Sequence, residues 1–470
     1  MYQPLIKFHP YPAIITQVLC IFAKKKATMR ILISNPTIVN EGELFKGSIV
    51  INNGRISEIL RGNELPRGEV DCIVEAHDMY LIPGVIDDPV HFREPGLTAK
   101  ADINSESRAA AAGGVTSYME MPNTVPQTTT PAALKEKFAI AAKESLVNYS
   151  FYFGATNDNY KYFAKLNPRR VCGIKLFMGS STGNMLVDEA DKLDKIFSTA
   201  TLPIAVHCED TKTIAANAKK VVASEGSNPD VTFHPVIRDA KACYRSTKSA
   251  VELAKKHGTK LHVMHISTKK ELALFKNAGS NITAEVTPAH LTFCSDDYAR
   301  LGTKIKCNPA IKSSEDRDAL RRATADGLID VIGTDHAPHL PKDKEGGALT
   351  AASGMPSIQF SLLAMLKLVD EGVLTIENMV EKMCHAPARI FGVNRRGYIK
   401  KGYAADFVLL RNGCPHTIEK SDIISKCGWS PFEGDTFNWA VAQTWVNGEC
   451  AYKEGKINEE VRGKALVFDR

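Results

Sequence analysis

The sequence lacks the features that mark membrane, disulfide-bonded and nucleic-acid-binding proteins. No apolar run reaches the about 18 to 20 residues that a membrane helix needs, and the nearest candidate, 11–23, is short and contains Pro12. The 11 cysteines form no Cys-x-x-Cys pair, which argues against a disulfide framework or a zinc knuckle and favours a reducing, cytoplasmic compartment. A net charge of +6 without a basic, aromatic-rich stripe predicts no nucleic-acid partner.

What remains is an ordinary globular composition, with 44% hydrophobic and 24% charged residues. A chain of 470 residues allows about two to three domains, or one large barrel with an appendage. Residues 1–28 carry lysines but no acidic residue, and the regular pattern begins after Met29. We therefore expect residues 1–28 to be a disordered extension outside the fold.

Both ends of the chain show β-type patterns. Asn53-Gly54 separates two alternating apolar segments, and Asn447-Gly448 follows another, as in tight hairpin turns. These patterns predict that residues 29–82 and 395–470 together form one small, discontinuous, β-sandwich-like domain. They leave residues 83–394 as a larger central unit.

The central unit alternates strand-like and helix-like segments. The predicted helices include Ala132–Glu144, Ala240–His257 and Ser314–Asp326. The predicted strands are Gly84–His91, Val115–Met121, Asn148–Phe153, Val171–Phe177, Leu202–Cys208, Lys260–Ser267, Asn281–Thr287 and Ile329–Thr334. Eight such β-then-α units predict an α/β fold, a (β/α)8 TIM barrel.

Polar side chains recur at the carboxyl ends of these predicted strands, where barrel enzymes place their chemistry. They are His91, Arg93, Asn123, Lys175, His207, His265, Asp335 and His339. No single position is specific, but their joint placement predicts one polar rim that binds a metal or an anion.

His207 and His265 each end an apolar strand. One such histidine would more often be structural, but two on adjacent strands favour a metal site, because neutral imidazole is a good zinc ligand. His262 stands three residues before His265, so we expect it on the opposite strand face in a structural role.

Lys175 and Asp335 each admit two interpretations. A lysine inside an apolar strand either extends its stem to the rim or reacts with carbon dioxide to give an anionic carbamate that bridges two metals. Asp335 either caps the following helix or acts as ligand and general base, and the nearby histidines favour the second role. Arg93 suits a carboxylate-bearing substrate. The Gly179–Gly183 segment lacks the ending of a phosphate-binding loop and is expected to be a rim loop.

Several motifs occurring together resemble one known enzyme family. They are Pro83-Gly-Val-Ile-Asp87, His91-Phe-Arg-Glu-Pro-Gly96, Met121-Pro-Asn-Thr124, His207-Cys-Glu-Asp210, His265-Ile-Ser-Thr268, Asn308-Pro309 and Thr334-Asp-His-Ala-Pro-His339. From about Met29 onward the chain resembles the dihydroorotases of the amidohydrolase superfamily. Single motifs are shared with hydantoinases and allantoinases.

The resemblance implies a set of roles. His207, His265 and a carboxylated Lys175 would hold one divalent metal, such as Zn²⁺, and His91, the same carbamate and Asp335 a second. Arg93, Asn123, His339 and Asn308 would bind the substrate. Asp335 would move the proton in the reversible hydrolysis of dihydroorotate to N-carbamoyl-L-aspartate, a step of pyrimidine synthesis. The partners expected are the small-molecule substrate and further copies of the chain in a homo-oligomeric dimer or tetramer, with no nucleic acid or membrane.

One departure from the family pattern bears on the metal count. Pro89 stands where the family has the first histidine of His-x-His, and proline has no ligand atom. The second metal keeps three possible protein ligands, which is a workable number. The alternatives are a one-metal enzyme, a hydantoinase or allantoinase, and an inactive paralogue with a structural role. Lys312, where arginine is usual, is a lesser departure.

Overall fold

Six short strands precede the barrel in the computed structural model, which describes residues 29–179 and 185–470. The predicted extension 1–28 and most of the Gly179–Gly183 segment lie outside the described residues. Asn53 and Gly54 have φ values of 51° and 73°, the left-handed geometry that the predicted hairpin turn requires. The strands are β1 (Arg30–Ser34), β2 (Thr37–Asn40), β3 (Glu43–Asn52), β4 (Arg55–Arg61), β5 (Cys72–Glu75) and β6 (Met79–Pro83).

The middle of the chain forms the predicted parallel barrel, and each of the eight predicted segments contains a strand. The third barrel strand is interrupted at Tyr152, so that β9 pairs with β8 and β10 pairs with β11. The barrel strands are β7 (Val85–Val90), β8 (Val115–Glu120), β9 (Asn148–Phe151), β10 (Phe153–Gly154), β11 (Ile174–Phe177), β12 (Ile204–His207), β13 (Leu261–Val263), β14 (Ile282–Val286) and β15 (Val331–Ile332).

The barrel closes between its last and first strands. Val90 forms a parallel bridge with His336, and the His91 amide donates to the His336 carbonyl at 2.7 Å. The pairing of β7 with β8 shifts register between Asp87 and Val90, so Pro89 lies at an irregularity where a missing N–H is tolerated.

Helices connect the strands, and their ends carry the expected capping residues. Thr130 caps the helix that begins at Pro131, and Asp239 caps the helix that ends before Gly258. The helices are α1 (Ile103–Ala112), α2 (Pro131–Glu144), α3 (Ala190–Thr199), α4 (Thr211–Glu225), α5 (His234–Ile237), α6 (Ala240–His257), α7 (Lys269–Leu272), α8 (Pro288–Thr292), α9 (Tyr298–Leu301), α10 (Ser314–Ala325), α11 (Ser361–Asp370), α12 (Ile376–Val380) and α13 (Ala386–Phe391).

The last four strands join the first six in one sheet. They are β16 (Phe407–Thr417), β17 (Thr436–Val446), β18 (Glu449–Lys453) and β19 (Lys456–Ile457). The strand order is β19-β18-β17-β16-β6-β2-β3-β1-β5, with β4 paired to β3. The Asn447-Gly448 turn also adopts left-handed geometry, and a Cβ on Gly448 would lie 2.6 Å from the Cα of Gly54. The two turns therefore pack against each other and join both ends of the chain.

The final residues close the amino-terminal side of the barrel. Leu466 and Phe468 are fully buried in an apolar cluster with Ile86 and Tyr152 of the barrel strands and Phe391 of α13. Across the described ranges, no disulfide joins two cysteines. None of the helices in those ranges is long and apolar enough to span a bilayer.

Candidate active site

One cavity of about 360 Å³ opens at the carboxyl ends of the barrel strands. His91, Lys175, His207, His265 and Asp335 come from five different strands or the loops that follow them. The cavity is lined by all nine sequence-predicted residues: His91, Arg93, Asn123, Lys175, His207, His265, Asn308, Asp335 and His339. The predicted set therefore shares one site.

His207 and His265 face each other in this cavity. The Nδ1 atom of His207 lies 3.1 Å from Nε2 of His265, and both side chains are buried. Burial and the neighbouring His207 hold the pKa of His265 well below its ordinary value, so its imidazole is neutral. His265 Nδ1 is buried without a hydrogen-bond partner among the described residues. Two imidazole nitrogens 3.1 Å apart suit adjacent corners of a tetrahedral cation, whose ligand atoms lie about 3.3 Å apart.

His91 and Asp335 form a second pair. His91 Nε2 lies 3.2 Å from Asp335 Oδ1, and its Nδ1 lies 2.8 Å from Asn123 Oδ1. Burial opposes ionisation of Asp335, but the hydrogen bond from His91 and the charges of His91, His265 and Lys175 lower its pKa below the ordinary range. Asp335 is therefore an ionised carboxylate, the form that binds a cation or accepts a proton.

Lys175 lines the same cavity and is only 2% exposed, so its stem does not reach bulk solvent. Its Nζ is 2.7 Å from Met264 Sδ and 4.9 Å from the centre of the Phe177 ring. Burial lowers the pKa of this amine to about 8, although Asp335 and Glu285 oppose the shift. The neutral amine, which is the form that reacts with carbon dioxide, is therefore accessible near neutral pH.

Arg93 forms a cationic pole at the same cavity. Its Nε donates to the Pro338 carbonyl at 3.0 Å, and its Nη2 lies 3.1 Å from His339 Nε2. Burial and the charges of Arg93 and Lys100 lower the pKa of His339 to about 2, so that ring is neutral. Arg93, His265 and Asp335 all have left-handed φ values, of 69°, 42° and 47°. Such strain collects at functional sites because the fold holds the side chains in place.

Comparison with known proteins identifies the family. The model of the amidohydrolase family matches residues 80–451. This chain belongs to the amidohydrolase family. The match covers the whole barrel and most of the strands that follow it.

Individual relatives of this amidohydrolase are cyclic amide hydrolases. It is 34% identical over 415 residues to a dihydroorotase of Methanosphaera stadtmanae, covering 87% of this chain and 94% of that protein. It is 30% identical over 436 residues to an allantoinase of Bacillus velezensis, covering 90% and 94%. The L-hydantoinase structure from Arthrobacter aurescens superposes with a TM-score of 0.89 at 28% identity, covering 93% and 99%. The amidohydrolase is therefore a cyclic amide hydrolase.

Several residues of the site were not predicted from the sequence. Lys100 places its Nζ 3.0 Å from His339 Nδ1, and the indole of Trp429 donates to the His339 carbonyl at 2.7 Å. Buried Glu209 forms an ion pair with Arg238 and lies 3.1 Å from His207 Nε2. Of these residues, only Glu209 could have been found from the sequence, because it follows the predicted metal ligand His207 by two residues.

Two buried lysines hold one wall of the cavity. Lys306 donates to the Ala351 carbonyl, and Lys344 donates to the carbonyls of Lys306, Ala352 and Gly354 at 3.0, 2.7 and 2.8 Å. These bonds fix the 348–354 wall segment against the barrel. Lys312 instead bonds Ser267 Oγ at 3.0 Å and does not line the cavity.

Pro89 brings no donor atom to the amidohydrolase site. It is buried in β7, and a Cβ built on Gly333 would lie 2.6 Å from its Cδ. The pyrrolidine ring therefore packs tightly against the end of β15.

The expected opposite orientation of His262 and His265 is wrong. His262 on β13 contacts Asp88 on β7 and Glu285 on β14, so its side chain reaches the barrel interior, as His265 does. The strand ends at Val263 and the left-handed φ of His265 breaks the two-residue period.

Proposed function

We propose that this amidohydrolase is a dihydroorotase, which interconverts dihydroorotate and N-carbamoyl-L-aspartate in pyrimidine biosynthesis. The observation that supports this substrate is the Arg93 guanidinium, which lines the cavity together with neutral His339 and the histidine and aspartate pairs. Lys100 adds a second cation behind His339. A guanidinium pairs two carboxylate oxygens, and dihydroorotate carries a carboxylate beside its cyclic amide. Asn123 and Asn308 complete the proposed substrate contacts.

We assign the metal ligands to the histidine pairs. Imidazole nitrogens, an ionised carboxylate and a buried lysine amine with a lowered pKa are a donor set that suits a divalent cation such as Zn²⁺. His207, His265 and a carboxylated Lys175 would hold one ion. Because Pro89 supplies no ligand, His91 with the Lys175 carbamate and Asp335 would hold a second ion more weakly. Such an ion would acidify water and polarise the ring carbonyl.

In the hydrolytic direction, water adds to the ring carbonyl, a C–O bond forms and the C–N bond of the ring breaks. Asp335 accepts the proton of the attacking water and delivers it to the leaving ring nitrogen. Arg93 and His339 orient the substrate carboxylate, and His91 holds Asp335 in its ionised, hydrogen-bonded form.

The deciding experiment is a hydrolysis assay on purified enzyme of measured metal content, with dihydroorotate, hydantoin and allantoin as substrates. A dihydroorotase prefers dihydroorotate by at least about 100-fold in kcat/KM, and Arg93→Gln reduces that preference. Preference for hydantoin or allantoin would assign the enzyme to those classes instead. If no substrate turns over until Pro89→His is introduced, the chain is an impaired paralogue.

Three further expectations belong to the same proposal. Residues 29–82 with 395–470 form the small β domain and 83–394 the barrel domain, the enzyme acts in the cytoplasm, and it assembles as a homo-oligomer. Analytical ultracentrifugation of the full chain tests the assembly, and a monomer at all concentrations would contradict it.

A further inference from the structure

Three ionisable side chains meet inside the barrel, outside the nine residues of the candidate active site. Asp88 comes from β7, His262 from β13 and Glu285 from β14, and we name them the core triad. Their exposed fractions are 0%, 1% and 0%. His262 Nε2 lies 3.2 Å from Asp88 Oδ2 and 3.2 Å from Glu285 Oε2. One imidazole nitrogen is therefore shared between two buried carboxylates.

The hydrogen bonds of the core triad leave one group unsatisfied. His262 Nδ1 is 2.8 Å from Thr283 Oγ1, and Glu285 Oε1 accepts the backbone amide of His265 at 3.3 Å. Both carboxylate oxygens of Asp88 are buried without a hydrogen-bond partner among the described residues. Leaving a buried carboxylate so poorly solvated is costly unless another group stabilises it.

The core triad holds more carboxyl groups than basic groups. A protonated His262 can balance one of the two carboxylates, so the other either keeps a proton or is balanced by a cation. A divalent cation with a neutral imidazole would balance both carboxylates. It would also bind an oxygen of Asp88, which accepts no hydrogen bond within the described residues.

The geometry suits such an ion. One donor atom from each of the three residues lies within 4.8 Å of the others. Two ligand atoms of a tetrahedral ion with bonds of about 2.0–2.1 Å lie about 3.3–3.4 Å apart, close to the two 3.2 Å separations here. A Cβ on Gly333 would come within 2.8 Å of Glu285 Oε2, so close packing holds this carboxylate in place.

We propose that the core triad is a structural metal site, separate from the candidate active site and deeper in the barrel. Two carboxylates and one imidazole favour a first-row divalent cation such as Zn²⁺ or Mn²⁺. The ion would tie β7 to β13 and β14 across the barrel axis. This site does not depend on the identity of the substrate.

The test is the metal content of full-length variants, measured by inductively coupled plasma mass spectrometry after dialysis with Zn²⁺ or Mn²⁺ and removal of loosely bound ions. A His207→Asn/His265→Asn double variant, which loses two of the active-site imidazoles, keeps about one ion per chain, and adding Asp88→Asn to it removes that ion. This distinguishes the core triad from His91, Lys175 and Asp335, which are unchanged in both variants. Asp88→Asn loses about one ion relative to the unmodified enzyme. Asp87→Asn is the matched control, because Asp87 is the adjacent buried carboxylate but bonds Thr334, and it retains the ion.

Anomalous X-ray scattering from crystals of the unmodified enzyme gives a second measurement that needs no variant. A peak between Asp88, His262 and Glu285 at the absorption edge of the added metal supports the proposal. No peak there in metal-supplemented crystals, or no ion in the folded double variant, overturns it and assigns the excess charge to a bound proton. The dihydroorotate assay is scored separately, so failure of the proposed function leaves this result interpretable.

Discussion

Trp429→Phe tests whether the carboxyl-terminal part of the chain positions the substrate pole. Trp429 is 5% exposed, and its Nε1 donates to the His339 carbonyl at 2.7 Å. The same His339 places its ring nitrogen 3.1 Å from Arg93 Nη2. Phenylalanine keeps an aromatic ring in the pocket but removes the donor. The variant therefore releases the backbone of His339 without changing any residue that we assign to substrate contact.

The magnitude follows from the lost hydrogen bond. A buried carbonyl left without its donor costs about 1–3 kcal/mol. If about 1–2 kcal/mol of this appears as poorer positioning of His339 and Arg93, kcat/KM for dihydroorotate falls by about 5- to 30-fold. The loss appears mainly in KM, because the pole contacts the substrate carboxylate in both the ground state and the transition state.

The assay compares dihydroorotate with dihydrouracil, which has the same ring without the carboxylate. Trp429→Phe lowers kcat/KM for dihydroorotate and leaves any dihydrouracil hydrolysis nearly unchanged. Trp439→Phe is the matched control, since it is 4% exposed and loses an indole bond of 2.9 Å, but to Asp370 on α11. Equal effects of both variants, or equal losses on both substrates, would refute the positioning argument.

Four other predictions concern the pole, the metal, a buried ion pair and acid stability. Arg93→Gln lowers kcat/KM for dihydroorotate by about 100-fold, because two charge-assisted hydrogen bonds of about 1.5 kcal/mol each are lost. Dialysis against a chelator abolishes turnover, and added Zn²⁺ restores it. Lys137→Met destabilises the fold by about 3–5 kcal/mol, since Lys137 pairs with Glu120 and the two are 0% and 1% exposed. Burial, with the charges of Arg238 and Lys306, lowers the pKa of His234 from 6.5 to about 3. The fold is therefore most stable with respect to His234 above pH 6.5, where this side chain is neutral. Stability is lost as the pH falls from 6.5 towards 3, because the unfolded chain binds the proton first.

Each of these has a control. Arg93→Gln is assayed on dihydrouracil, and an equal loss there contradicts a carboxylate contact. Turnover that survives a chelator at undetectable metal content contradicts the metal assignment. Lys137→Met/Glu120→Leu recovers most of the lost stability in thermal denaturation, and a double variant as unstable as the single would contradict the ion-pair argument. His234→Gln flattens the fall of the denaturation midpoint between about pH 6.5 and 4, and an unchanged slope rules His234 out as its source.

The fold was predictable because its signals are local. Buried strands such as β12 and β15 lie in short, mostly apolar segments. Asn53-Gly54 and Asn447-Gly448 specify the turn geometry in two residues each. The placement of His207 and His265 at strand ends then followed from the barrel alone, and the structure brings both into one cavity. Their chemical roles remain predictions.

The rest of the site depends on contacts between residues far apart in the chain. Lys100 and Trp429 approach His339 across 239 and 90 residues, and neither belongs to a motif. The sequence did not predict the core triad, because the two-residue alternation of a β-strand placed the His262 side chain on the face opposite His265. That period does not continue through the left-handed backbone at His265.

Building one sheet from both chain ends has a consequence for biosynthesis. β6 pairs with β16, from Pro83 opposite Phe407 to Met79 opposite Arg411. One edge of β6 therefore stays unpaired until the ribosome has synthesised nearly the whole chain. At about 5–20 residues per second, the roughly 320 intervening residues take on the order of 15 to 65 s to synthesise. During that time β6 presents an unpaired apolar edge in the nascent chain, which is a template for association with other chains. Expression yield should therefore depend on chaperone supply and on translation rate more than on the stability of the finished barrel.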